Sequence, residues 1–166
     1  GLFLYDETDD TLKPFKFSES DRLNASLTKQ GVKLDQEKLA KVSNHAILKK
    51  VIKDKSSEIS SKLEDIWTEH INLSKLQLVD SESHVETILV YPIITEGKVT
   101  GMLMLALNRG FDILTDFEKD SIKNFIDVVT VALDKSLLYE KLKEANEQLK
   151  ALDKARAEFI SIASHQ

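Results

Sequence analysis

Hydrophobic and polar positions fall into two regimes along the chain. Up to about residue 110 the apolar residues come in short runs separated by polar turns, and beyond it they recur at helical spacing without a break. Leu2–Tyr5 reads as a buried strand, Asp6–Asp10 as a polar turn, and Thr11–Ser18 as the returning strand, with Phe15 and Phe17 on one face. Pro14 removes a ladder donor, which places this second strand at or near a sheet edge.

The middle of the chain is more mixed. Residues 21–33 are polar and ambiguous. Asp35 is placed to cap a short helix through about Val42. Asn44 is the better cap, because Ile47, Leu48, Val51 and Ile52 follow it at helical spacing with Lys49, Lys50 and Lys53 facing out. Glu58–Ser60 is a short strand candidate, and Leu63–Leu78 reads as helix and loop. Glu86–Ile94 and Val99–Leu107 are the clearest strands, joined by Thr95-Glu96-Gly97-Lys98, where Gly97 is free to take a positive φ. In the second of them Met102, Met104 and Ala106 alternate with Val99, Gly101, Leu103, Leu105 and Leu107. Both faces are apolar, so the strand is expected to be central.

Thr115-Asp116-Phe117-Glu118 forms a capping box, and from there to Gln166 there is neither Gly nor Pro. A continuous helix over that span would be roughly 78 Å long at about 1.5 Å per residue, longer than the core of a domain this size. Ile122, Phe125, Ile126, Val129, Leu133 and Leu137 make a broad stripe suited to packing on a sheet. The stripe then narrows to a heptad row, with Leu138, Ala145, Leu152 and Phe159 at d and Leu142, Leu149, Arg156 and Ala163 at a. The charged stretch Lys141–Glu158 supplies the solvated flanks of a parallel two-stranded coiled coil. The fold class is therefore α/β (α+β): an antiparallel sheet with flanking helices and a long C-terminal helix.

Composition narrows the chemistry. The 166 residues include no Cys, which excludes disulfides, thiolate metal sites, a Cys nucleophile and a thioether-tethered cofactor. The net charge of −5 and the lack of any strongly basic stretch argue against nucleic acid. The longest apolar runs, Ile88–Ile94 and Gly101–Leu107, are far short of the roughly 20 residues that span a membrane. No basic leader marks a signal peptide, and the opening inside an apolar run is expected of a segment cut from a longer protein.

Residues 1–137 resemble a GAF domain lacking its usual first helix. The likeness rests on the order of four stretches: "GLFLYDETDDTLKPFKFS", "NHAILKKVIKDKSSEIS", "VYPIITEGKVTGMLMLAL" and "ILTDFEKDSIKNFIDVVTVAL". The next stretch, "LKEANEQLKALDKARAEFISIASHQ", resembles the signalling helix (138–158) and the start of the phosphoacceptor helix (159–166) of a sensor histidine kinase. In that family a Phe opens a run ending in Ser-His, as Phe159 through Ser164-His165 does here. The resemblance implies that His165 is the phosphoacceptor, using ATP and Mg²⁺ presented by another domain and passing the phosphoryl group to the receiver domain of a response regulator. It also implies a homodimer on the cytoplasmic side, in a parent protein that is itself membrane-attached or free. Gln166 stands where a carboxylate commonly orients the ring, and its amide cannot accept a proton.

Trp67, Tyr91, Met102 and Met104 are the candidates for lining a pocket for an unknown small ligand, against the alternative that they are plain core. His45, His70 and His84 are too far apart for metal-ligand spacing, so no metal site is expected. Asn108-Arg109 with Phe117 and Asp120 only partly matches a cyclic-nucleotide motif, since Ser121 breaks the acidic pair. The segment has no nucleotide loop or acid–base pair and is not expected to be a catalyst alone. The other reading is a non-enzymatic GAF module that binds a small ligand and dimerises.

Overall fold

The computed structural model describes residues 1–18, 21–33, 41–67 and 71–164. Five strands build one antiparallel sheet: β1 (Leu2–Asp6), β2 (Thr11–Lys16), β3 (Glu58–Ser60), β4 (Thr87–Thr95) and β5 (Lys98–Leu107). Their order is β2-β1-β5-β4-β3. The Pro14 strand lies at one edge and β5 is central, as the patterning predicts. The β4–β5 hairpin closes through Glu96 and Gly97, both at positive φ, the backbone that a two-residue turn matching strand twist requires.

Directly opposed residues in an antiparallel pair share a face. Phe3 opposes Met102, Val90 opposes Met104 and Ile88 opposes Ala106. This face carries the main core, covered by α1 (Asp21–Lys29), α2 (Ala46–Asp54), α3 (Glu64–Trp67) and α4 (Leu73–Ser83), which contribute Leu27, Leu48, Val51, Ile66, Leu76 and Val79. The other face carries Leu89, Ile93 and Leu103, also buried.

Several local expectations change. The ambiguous 21–33 segment contains α1, because Leu23 and Leu27 lie one turn apart and pack onto the core, while Ser26 and Lys29 bind Glu82 of α4. Leu63–Leu78 resolves into α3 and the start of α4, which Asn72 caps by accepting from the Ser74 N–H at 2.9 Å. Asn44 is not the cap of α2. It belongs to a 3₁₀ turn, Val42–Asn44, held by hydrogen bonds from Val42 and Ser43 to Asp10, so the cap position falls to His45. The helix expected from Asp35 lies mostly outside the described residues. Phe15 is exposed, whereas Phe17 lies just past the end of β2 and packs edge-on against Phe3.

Asp80 on α4 has a buried Oδ1 without a partner among the described residues, and burial pushes its carboxyl above the ordinary value. Folding therefore penalises the ionised form. The penalty is absent below the unfolded pKa of 3.8 and grows as pH rises past it. Asp80→Asn is expected to raise the Tm by about 3 °C at neutral pH. Near pH 3 the gain should vanish; an equal gain at both pH values would show that charge is not the cause.

The chain divides into two compact units, Gly1–Ile126 and Asp127–Gln166. Helix α5 (Asp116–Ser164) opens in the first and makes up the described part of the second. The capping box forms in full, with the Thr115 N–H and hydroxyl both donating to Glu118 and the Glu118 N–H donating to Thr115 Oγ1. Phe125 departs from the expected stripe and is 52 % exposed; the residues that are buried or half-buried on α5 include Ile122, Ile126, Val129, Leu133 and Leu137. Among the described residues no helix is long and apolar enough to cross a membrane.

Candidate functional site

The sheet face that carries the core does not pack solidly everywhere. Near the start of β1 and the end of β5, a cavity of about 570 Å³ opens between the sheet and helices α1 and α4. Its position follows from how the neighbouring elements end. Strand β2 stops at Lys16, so Phe17 turns inward onto Phe3, with ring centroids 5.2 Å apart at 86°. Helix α3 carries Trp67, whose ring is tilted against Phe3 with centroids 5.5 Å apart. These three rings, with Leu27, Leu76 and Met104, make the walls.

Polar groups gather at the rim. Ser18, Arg22 and Asn108 are exposed lining residues, and Ser83, which also lines the cavity, is buried with its Oγ donating to the Asp80 carbonyl. Arg22 is the only charged side chain among the described lining residues, and among those residues it has no ion-pair partner. Nearby Glu82 is neutralised by Lys29 at 2.6 Å and also accepts from Ser26, which holds its carboxyl below the ordinary value. The arrangement is that of a binding cavity: apolar walls, a few polar groups and, among the described lining residues, no acid–base pair.

The sequence candidates separate by strand alternation. Trp67 and Met104 line the cavity. Met102 shares their face but is fully buried against β1, opposite Phe3, and does not reach it. Tyr91 opposes Leu103 and stands on the other face. The groups that the patterning missed are Phe3, Phe17 and Arg22. For Arg22 the available signal was the Leu23–Leu27 spacing, which marks the helix that presents it.

The remaining candidates fall elsewhere. His45 is 4 % exposed at the start of α2, with Nε2 unpartnered among the described residues, and His84 ends α4 in the left-handed conformation. Among the described residues no three His, Asp or Glu side chains are grouped to hold a metal ion. Arg109 pairs with Glu118 at 3.0 Å, and its carbonyl accepts from Thr87, so it braces the start of α5. His70, His165 and Gln166 lie outside the described residues.

On the second unit, apolar side chains at heptad spacing face solvent. Leu138, Leu142, Leu149, Leu152 and Phe159 are each 59–71 % exposed. Val131 lies one heptad upstream of Leu138 and Val128 two heptads upstream of Leu142, with Lys135 at the a position between, and both valines are exposed as well.

No protein-family model matches the chain, and no curated protein matches it. Solved structures do. A GAF domain/HD domain protein from Geobacter sulfurreducens matches with a TM-score of 0.55 at 16 % identity, covering 82 % of this chain and 80 % of that one. Residues 122 to 287 of a methyl-accepting chemotaxis protein match with a TM-score of 0.52 at 15 % identity, covering 81 % and 76 %. The phycoerythrobilin-bound GAF domain from a cyanobacterial phytochrome matches with a TM-score of 0.50 at 12 % identity, covering 84 % and 77 %. At these identities the likeness speaks for the fold alone: a GAF-like sheet with flanking helices.

Proposed function

We propose that the chain is a sensory segment of a two-component histidine kinase. In this reading residues 1–137 are a GAF domain that takes a small ligand, 138–158 are a signalling coiled coil, and 159–166 open the phosphoacceptor helix. The observation that carries it is the α5 helix, which starts on the GAF-like fold and displays an exposed heptad row over its distal part. Such a row is stable in water when a second copy covers it, and a parallel pair of helices transmits rotation or register from a sensor to whatever follows.

His165 is then the nucleophile. Neutral imidazole attacks the γ-phosphoryl group of ATP, the bond to the leaving ADP breaks, and the phosphoryl group passes on to an aspartate of a receiver domain. ATP and Mg²⁺ belong to a catalytic domain of the parent protein, working on the cytoplasmic side. Gln166 leaves the flanking proton-acceptor role unfilled, and this favours the second reading, a ligand-binding dimerisation module without phosphotransfer.

Full-length protein incubated with labelled ATP and Mg²⁺ tests the choice. Acid-labile, base-stable label is expected, and His165→Ala should abolish it. Label that persists in the variant would move the phosphoacceptor elsewhere. No label in either protein, with or without added ligands, would leave the dimerisation module.

A further inference from the structure

We infer that the cavity takes a small organic acid, with its apolar body between the aromatic walls and its anionic group at Arg22. The inference rests on the proposed ligand-binding role of this site and adds the chemical class. Three observations converge on it. The volume of about 570 Å³ lies within the range of pockets that hold drug-sized ligands. The walls, among them Phe3, Phe17, Trp67 and Met104, offer ring faces, ring edges and a polarisable thioether, and no charge. Among the described lining residues Arg22 is the only charged side chain and has no ion-pair partner there, whereas Lys29 on the same helix is engaged by Glu82 and the Gly1 amino group donates to the Met104 carbonyl.

Arg22 suits the task by chemistry and by place. A guanidinium offers a planar fork of donors that matches a carboxylate, phosphate or sulfonate with two parallel hydrogen bonds. It sits in the first turn of α1, exposed at the rim, so an anionic group bound there keeps part of its hydration while the rest of the ligand leaves water. A neutral apolar ligand would fill the same walls and leave Arg22 unused. A polyanion such as a nucleotide would have to place further charges against apolar walls.

Trp67 is the only Trp in the chain and lies in the cavity wall, so its emission reports occupancy. Two probes share one ring system: 1-anilinonaphthalene-8-sulfonate carries an anionic group and N-phenyl-1-naphthylamine does not. Both are expected to quench Trp67, and the sulfonate to bind the more tightly. Arg22→Gln should weaken the sulfonate about tenfold and leave the neutral probe unchanged. Decanoate should displace the sulfonate probe where methyl decanoate does so poorly. Ala106→Phe, at the exposed mouth, should weaken both probes. Equal loss or no loss for the two probes in Arg22→Gln would overturn the acid preference and leave the cavity a ligand site. Failure of both probes to quench Trp67, or quenching unchanged in Ala106→Phe, would overturn ligand binding here altogether.

Discussion

Gly101→Ala is expected to destabilise the protein by about 3 kcal/mol or more, a large share of the roughly 5–15 kcal/mol that holds a domain together. Gly101 lies on β5, between Leu4 of β1 and Ile93 of β4. A Cβ built there would stand 2.4 Å from the Phe3 carbonyl oxygen. That oxygen is backbone, so the clash cannot be relieved by turning a side chain; β1 itself would have to move from β5. Phe3 would move with it, and both aromatic partners of the cavity wall depend on Phe3. Urea titration followed by circular dichroism should show a lower midpoint, and the Trp67 response to the probes should fall in parallel. Gly110→Ala is the control. A Cβ at Gly110 meets nothing within 4 Å, its φ of −63° suits any residue, and a near-zero change is expected there. Equal effects at the two glycines would refute the steric account.

The second large effect is expected on assembly. Leu142→Asp combined with Leu149→Asp should convert a dimer, with twice the 18.8 kDa chain mass, into a monomer in light-scattering chromatography. Both residues occupy a positions of the exposed row, so a dimer buries four leucine side chains there. At about 1.5 kcal/mol or more for each, the loss comes to roughly 6 kcal/mol, which raises the dissociation constant about four orders of magnitude. Placing carboxylates in the seam adds desolvation and like-charge repulsion in the same direction. Glu147→Ala with Lys154→Ala, at outward f positions, should leave the dimer intact. A wild-type chain that runs as a monomer at high micromolar concentration would remove the coiled coil from the reading, whatever the variants do.

These two predictions draw on different kinds of information. The heptad row could be read directly from residues 138–163, because side-chain periodicity on a helix is a local property of the chain. The capping box at Thr115 and the turn at Glu96-Gly97 were legible for the same reason: each is closed by hydrogen bonds or dihedral angles within a few residues. The edge position of β2 followed from the missing N–H of Pro14. The role of Gly101 had no such signal. A glycine among apolar strand residues says only that something comes close; that this is the Phe3 carbonyl is decided by pairing across almost a hundred residues.

The cavity shows the same division. Sequence alone determined that the sheet would have two apolar faces, that Met102 and Met104 would share one, and that a long helix would carry an unpartnered stripe. It did not determine which residues meet on the helix-covered face. Tyr91 and Trp67 were equal candidates until strand register sent Tyr91 to the opposite side. Helix α1 was hidden in polar text because its two leucines stabilise it only when α4 and the rest of the core lie beside them. Arg22 became a candidate only because that docking sets it at the rim, while Lys29 on the same helix finds Glu82. Short-range hydrogen bonding and periodicity are written into neighbouring residues; which face is covered, and which charge is left uncompensated, depends on segments far apart in the chain and is settled only when they pack.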